Sequence, residues 1–312
     1  MLRTTIIVPT YNAANTIEET LISIQKNNPS IYNISEIFIA DDSSTDNTLE
    51  LSKGVWTDEK TRIKIVKSDI NRGERGNLNS IIQSIKKDYD WFLILHADDL
   101  AKENWLREMC YCIDESDENT ASISSSYDVF WEDGRMEPGE EKLNSTTITG
   151  GKNAIRSTLK SGTWWHISGC AIKLSSFEVT GGFNEEMPQF GDMEWILKVF
   201  NSGLSITYVP KCLTLYRQLA SSVSSNSFKK HQDIFEHANL VMYYSKLFSS
   251  RQLMDFYLKF NLQLFKRNIR SVLSGNFLRL RLSIMMTLYL TKIFGFTHTP
   301  TISFNENRFD SN

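Results

Sequence analysis

Residues 91–100 read WFLILHADDL. Trp91 to Leu95 form an unbroken apolar run with the length of a fully buried strand. The run ends in His96, Asp98 and Asp99. Burying charge is costly unless it is paired or holds a metal, so the stretch admits two readings. The acids either reach water and cap the next helix, or they bind a divalent cation. Hard oxygen ligands suit Mg2+ and Mn2+, with phosphates completing the shell, and Mn2+ also tolerates imidazole. The flanking segments decide which frame the strand belongs to.

Upstream, TTIIVP reads as a short buried strand stopped by Pro9. Asn15 is a candidate N-cap with Glu18 in capping-box position, and Ile17, Leu21 and Ile24 then share a helical face. EIFIA is a second strand ending in Asp41 and Asp42. Asp46 can cap the helix NTLELSK, with Gly54 as its stop. RIKIVKS is a third strand, and the loop DINRGERGN feeds a helix over LNSIIQSIKK. Four strands alternating with helices predict a parallel sheet covered on both faces. In such sheets ligands sit at the carboxyl ends of the strands, so Tyr11/Asn12, Asp41/Asp42 and Asp98/Asp99 should gather at one edge.

Downstream the pattern is less regular. ENWLREMCYCI and MEWILKVFNSG read as helices, ASISSSYDVF and SGCAIKL as strands, and LSITYVPKCLTLYR as one or two strands. TGGKNAIRSTLKSG opens with glycines but lacks the spacing and preceding strand of a P-loop. The serine-rich LASSVSSNS looks like a linker. From Phe228 onward two or three aromatic-rich helices are expected.

A chain of 312 residues suits one large domain or two smaller ones. The cysteines, Cys110, Cys112, Cys170 and Cys212, show no zinc-type spacing, which points to a reducing compartment. The apolar stretch at the N-terminus is too short for a secretory signal, and no run of roughly 18 apolar residues suggests a membrane span. Charge is unevenly placed. Residues 1–227 hold 22 Lys+Arg against 32 Asp+Glu, a balance of −10, whereas residues 228–296 hold 11 against 3, a balance of +8. The acidic body and the lack of a recognition motif argue against a nucleic-acid partner. The basic, aromatic segment 228–296 reads either as helices packed on the body or as a surface resting on anionic lipid.

Individual residues carry paired readings. Asp41 and Asp42 are turn residues, or carboxylates that accept the N–H of a base or a ribose hydroxyl. Arg72, in the loop with Asn71, Gly73 and Asn79, is a diphosphate partner or a solvated arginine. Asp192 and Glu194 are favourable acids at a helix N-terminus, or one of them is a general base.

The order of IIVPTYNAANTIEETLISI, IADDSSTDNT, NRGERGNLN, LHADDL, GGFNE, FGDMEWILKV and LYRQLASSVSS resembles the family 2 glycosyltransferases of the GT-A fold, from about residue 4 to about residue 225. The resemblance implies an α/β, mostly parallel, Rossmann-like central sheet flanked by helices. A helical extension would follow it. Residues 1–225 would form the transferase domain, with 1–100 the nucleotide-sugar half and 101–225 the acceptor half, and 226–312 the basic helical region. It implies inverting transfer of a sugar from a nucleotide-sugar, UDP- or dTDP-linked, to a hydroxyl of a saccharide acceptor. Enzymes similar to this often work in bacterial surface polysaccharide assembly on lipid-linked acceptors, which would place the chain in the cytoplasm or at the cytoplasmic face of the inner membrane. Carried over, Pro9, Thr10 and Tyr11 would line the base pocket with Glu18 nearby. Asp42 would meet the base, with Asp41 beside it. Arg72 and Asn79 would lie near the diphosphate and sugar. Asp98 would bind Mn2+ or Mg2+, with Asp99 an extra acid, and His96 would touch the sugar or ribose. Asp192 would be the catalytic base, with Glu194 the next candidate, and Trp195 would lie beside the acceptor.

Three positions depart from the family pattern. His96 stands where the first acid of D-x-D usually stands, Gly191 replaces the Glu of a Glu-Asp pair, and Leu219 replaces a histidine. A non-catalytic nucleotide-sugar or saccharide binder with a degraded metal site is therefore the alternative. A sugar-phosphate nucleotidyltransferase would want a Gly-rich, Arg-containing loop after the first strand, where this chain has PTYNAAN.

Overall fold

The computed structural model describes residues 2–141, 145–163, 165–218, 231–273 and 277–295. Its centre is β1 (Thr4–Thr10), seven residues that are all buried. A strand so rich in apolar and β-branched residues is stable only with both faces covered. It pairs in parallel with β2 (Glu36–Asp41) on one side and β4 (Trp91–Ile94) on the other, and β2 pairs in parallel with β3 (Arg62–Lys67). Between these strands run α1 (Ile17–Lys26), α2 (Thr48–Val55) and α3 (Gly73–Ile85). Side chains two apart, Ile6/Val8, Ile37/Ile39 and Trp91/Leu93/Leu95, share one core with Ile17, Leu21 and Ile24 of α1, as the strand and helix periods require.

The sheet continues through β5 (Leu100–Ala101), β6 (Thr120–Trp131), β7 (Met136–Glu137), β8 (Thr146–Ile148), β9 (Ala171–Lys173) and β10 (Ser205–Gln218), in the order β3-β2-β1-β4-β9-β6-β10-β5. The parallel run ends at β4. β9 is antiparallel to both β4 and β6, and beyond it β6 and β10 are parallel. Helices α4 (Trp105–Asp114), α5 (Lys152–Ser161), α6 (Leu174–Thr180) and α7 (Gly191–Asn201) belong to this half. β10 is one long strand rather than two. Its ladder shifts register between Val209 and Cys212, where Pro210 has no N–H to donate.

Several boundaries differ from the sequence reading. α1 starts at Ile17 with Thr16, not Asn15, as N-cap, and no side chain caps it. The Thr16 hydroxyl instead donates to the Ala97 carbonyl at 2.8 Å, so the capping group serves the loop after β4. Gly54 lies inside α2 and does not stop it. α3 begins at Gly73 and absorbs the segment GERGN. The stretch LASSVSSNS, including Leu219, lies outside the described residues.

The chain divides into two compact units. The first comprises Met1–Thr158 and Gly162–Leu219, and the second Leu159–Ser161 and Ala220–Asn312. The second contains α8 (Gln232–Tyr243), α9 (Ser250–Leu273) and α10 (Phe277–Phe294). At its centre is the fully buried His231, whose Nδ1 lies 3.2 Å from Arg267 and whose Nε2 lies 2.7 Å from Ser283. Arg267 also donates twice to Asp233.

Candidate active site

The loops after β1, β2 and β4 meet at the carboxyl edge of the sheet, beside the strand from which the chain order runs both ways. The first two interlock. Asn12 and Ser43 both take positive φ, which short polar side chains tolerate. Asn12 N–H donates to Ser44 Oγ (2.9 Å), and Thr45 N–H donates to Asn12 Oδ1 (2.9 Å). Asp41 is wholly buried. Its Oδ2 accepts the Ser44 N–H (3.1 Å), while Oδ1 has no hydrogen-bond partner. An unpaired buried carboxylate oxygen is costly, and a ligand N–H would relieve it. Asp42 accepts the Arg72 N–H at 2.8 Å, which fixes the start of α3. Thr10 is buried, whereas Tyr11 and Glu18 face solvent.

The third loop carries the acids. His96, Asp98 and Asp99 each offer a ligand atom within 4.8 Å of the others. The loop is held from below by Thr20, which donates to Ala97 and Asp99 carbonyls (3.0 and 2.8 Å). From β10, Arg217 donates its backbone N–H to Asp99 Oδ1 (2.9 Å) and its Nε–H to the Asp98 carbonyl (2.8 Å). Asp99 Oδ2 is buried without a well-formed hydrogen bond. Burial and the neighbouring Asp98 push the Asp99 carboxyl up to about 7. Two carboxylates that converge so, with one buried oxygen unmatched, form an oxygen donor pair that fits Mg2+ or Mn2+, and His96 stands beside them.

His96 does not stand alone. Burial would lower it, but the Glu74 carboxylate, 3.2 Å from Nε2, raises it to about 9. Burial would likewise raise Glu74, yet Arg75 at 2.7 Å and His96 hold it well below the usual carboxylate range. Arg75 is itself buried, and its Nε makes no hydrogen bond. Its guanidinium lies over the Phe183 ring, 5.5 Å from the centroid.

Asp192 sits in the first turn of α7, where the helix dipole favours an anion. Its Oδ1 accepts the Met193 N–H at 2.7 Å. Burial raises its pKa and Arg75 opposes that rise. Gly191 finds its explanation here, because a Cβ would lie 3.1 Å from Arg75 Nε and 3.1 Å from the Asn184 carbonyl. Glu74 thus joins His96 at 3.2 Å to Arg75 at 2.7 Å, and the charge of Arg75 acts on Asp192.

Other expected site residues are spent on the fold. Trp195 is corrected from acceptor contact to core: it is fully buried, donates Nε1–H to Thr180 Oγ1 (2.8 Å) and packs on Trp165, Phe177 and Phe183. Glu194 is buried against Lys198 at 3.0 Å. Asn79 clamps the turn before α7, with its amide bonded to both the N–H and the carbonyl of Phe183 (2.9 and 2.8 Å).

Sequence reasoning passed over Glu74, Arg75, His166 and Arg217. The first two lay in GERG and the last in LYRQ, both already marked as motif. His166, whose Nδ1–H donates to the Ser168 carbonyl (3.0 Å) and whose ring packs against Tyr127 and Tyr216, carried no local signal.

The model of the family described as "Glycosyl transferase family 2" matches residues 5–174, more than half of the chain. The putative teichuronic acid biosynthesis glycosyltransferase TuaG of Bacillus subtilis is 26% identical over 227 residues, 72% of this chain and 82% of that protein. An uncharacterized glycosyltransferase of Mycoplasma genitalium is 31% identical over 103 residues, 32% of this chain, so the match spans only 33% of that relative's length. Among solved structures, S. aureus TarS 1-349 in complex with UDP-GlcNAc superimposes with TM-score 0.60 at 19% identity, over 77% of this chain and 66% of that one. The mannosyltransferase PcManGT from Pyrobaculum calidifontis, in complex with GDP-Man and Mn2+, gives 0.57 at 16% identity, over 94% and 85%. At these identities the two structures establish a common fold.

Proposed function

Because the chain belongs to glycosyl transferase family 2, we propose that it is an inverting transferase that moves a sugar from a nucleoside-diphosphate sugar to a saccharide hydroxyl. The observation that carries this reading is the acidic 96–99 loop at the carboxyl edge of the sheet, with the buried Asp41 carboxylate beside it; inversion then needs a general base on the far side of the anomeric carbon, the role we give to Asp192. The base and ribose would sit over Pro9, Thr10, Tyr11, Asp41 and Asp42, with Asp41 Oδ1 as the open acceptor. Glu18 would lie nearby, and Arg72 near the diphosphate. A UDP- or dTDP-sugar is the donor we favour. Neighbours bound to UDP-GlcNAc and to GDP-Man support a nucleotide-sugar donor without fixing the nucleotide.

Asp98 and Asp99, with His96 beside them, would hold Mn2+ or Mg2+, which when bound neutralises charge on the leaving diphosphate. The remaining steps belong to the chain. Asp192 takes the proton of the acceptor hydroxyl. That oxygen bonds to the anomeric carbon as the carbon–oxygen bond to the diphosphate breaks, and the electron pair leaves with the nucleotide. A carboxyl raised by burial is the stronger base. Glu74 orients His96 through their 3.2 Å contact, and the Met193 N–H orients Asp192. The relationship to a teichuronic acid biosynthesis protein supports a role in bacterial surface polysaccharide synthesis, which we place in the cytoplasm or at the cytoplasmic face of the membrane.

The test is release of nucleoside diphosphate from a panel of nucleotide sugars, with Mn2+ and with oligosaccharide acceptors. Asp192→Asn should lower the maximal rate by about 10²–10⁴-fold, the usual worth of a positioned base, with donor affinity little changed. Binding of nucleotide sugars without turnover on any acceptor would favour a binding protein. Loss of donor affinity in the variant at an unchanged maximal rate would move the base elsewhere.

A further inference from the structure

Helix α9 carries two side-chain rows on opposite faces. Phe256, Phe260, Leu264 and Ser271 are buried. Met254, Leu258, Leu262, Phe265, Ile269 and Val272 are exposed, Phe265 by 61%. Their spacing of four, four, three, four and three residues keeps them on one stripe of a 3.6-residue helix. Ile284, Met285 and Leu288 form a matching exposed stripe on α10, Leu288 by 66%.

The two stripes lie on the same side. α9 and α10 run antiparallel, with Tyr257 near Oγ1 of Thr291 (3.1 Å) and Arg267 and Ser283 both against His231. Both turn their inner faces to α8, Phe256 and Phe260 against His237 and Ser283 against His231. Their outer stripes therefore form one apolar face directed away from α8, and such a face marks an interaction surface.

Charge selects the occupant. On α9, Lys259, Lys266 and Arg270 follow one margin of the stripe, and α10 adds Arg281 and Lys292. Asp255 is the one acid in the sequence of α9, and α10 has none. A second copy docking through a two-fold axis would set like against like and bring these cations together. An anionic lipid surface would neutralise them while taking up the apolar stripe. No helix among the described residues is long and apolar enough to cross a membrane.

We propose that α9 and α10 form a docking face for an anionic bilayer. The helices lie in the plane of the interface with Leu262, Phe265 and Leu288 inserted and the flanking lysines and arginines at phosphate level. The face is independent of the transferase reading, though it would bring the first unit to a lipid-borne acceptor.

The full chain is tested by flotation with vesicles of phosphatidylcholine alone and of phosphatidylcholine mixed with phosphatidylglycerol, across a salt series. Binding should need phosphatidylglycerol and weaken as salt rises. The double variants Leu262→Glu/Phe265→Glu and Lys266→Glu/Arg270→Glu should each lower partitioning by about tenfold or more. Lys53→Glu, on α2, should change it little. All these side chains face solvent, so circular dichroism should stay as in the parent. Should the apolar variant unfold, the charge variant decides alone. Absence of flotation with phosphatidylglycerol at low salt overturns the proposal. So does binding indifferent to the decisive variants, or a dimer that Phe265→Glu dissociates in a protein that ignores vesicles.

Discussion

Arg217 shows how much one side chain can organise. Its backbone N–H holds Asp99, its Nε–H holds the Asp98 carbonyl, its Nη2 reaches Glu19, and its guanidinium lies 4.5 Å from the centroid of Phe130. A lysine has no fork with which to do this. Arg217→Lys should therefore weaken Mn2+ binding by about 10–100-fold, the usual cost of losing a partner that orients metal ligands, as read by calorimetric titration. His166 offers a second prediction. Burial lowers its pKa to about 4, against about 6.5 in an unfolded chain. Between those values the unfolded state binds more protons, so the stability tied to neutral His166 is complete above about pH 6.5 and is lost as pH falls toward 4. Urea melts at pH 7 and pH 5 should show a steeper loss in the parent than in His166→Phe, by up to about 1.4 kcal/mol per pH unit. An equal loss in both would place the titration elsewhere. Asp98 and Asp192 stand out in the sequence as candidates because each lies at an element boundary. Arg75 does not, because its meaning depends on Gly191 and Asp192, more than a hundred residues away in the chain.

Among the elements, β1 to β4 could be read directly, three as apolar runs and β3 by its alternation, each closed by a turn. β9 could not. It has only three residues, and it is held by β4 and β6, which are distant in sequence. The loop before it depends on Gly169, at φ +91°, whose N–H donates to the Ile94 carbonyl (2.7 Å) and whose carbonyl accepts from Trp105 (2.9 Å). A Cβ there would lie 2.7 Å from Thr214 Cγ2. Gly169→Ala combines a left-handed backbone with a clash, and should cost about 2–4 kcal/mol in urea denaturation. In the helical unit, Asp233→Ala removes the doubly bonded partner of Arg267. Breaking so enclosed a pair should cost about 3 kcal/mol, visible as a lower thermal midpoint.

For the whole molecule, the sequence announced an acidic body and a basic tail but not the helix pairing that arranges those cations along an apolar stripe. That pairing rests on His231, Arg267 and Ser283, polar residues with no periodic signature. Ligand binding should be felt by the first unit as a whole. A nucleotide sugar with Mn2+ at about 100 times its Kd should raise unfolding free energy by about 2.7 kcal/mol. Asp98→Ala should erase the share that depends on Mn2+, and a shift that survives the substitution would remove Asp98 from the metal site.

The outermost strand, β3, has a consequence for how copies of the protein tolerate one another. Among the described residues, one side of its backbone has no neighbour in the sheet, and a bare rim of this kind invites growth by addition of further chains. Its residues Arg62, Lys64 and Lys67 punctuate the apolar Ile63, Ile65 and Val66, so two rims brought side by side would meet as like charges. Lys64 is also drawn to Glu36 at 2.7 Å and Lys67 to the Ser44 carbonyl at 3.1 Å, which leaves Arg62 as the outer guard. Replacing Arg62, Lys64 and Lys67 by valine would turn the strand into a continuous β-branched run. Light scattering at high concentration should then rise well before any loss of secondary structure.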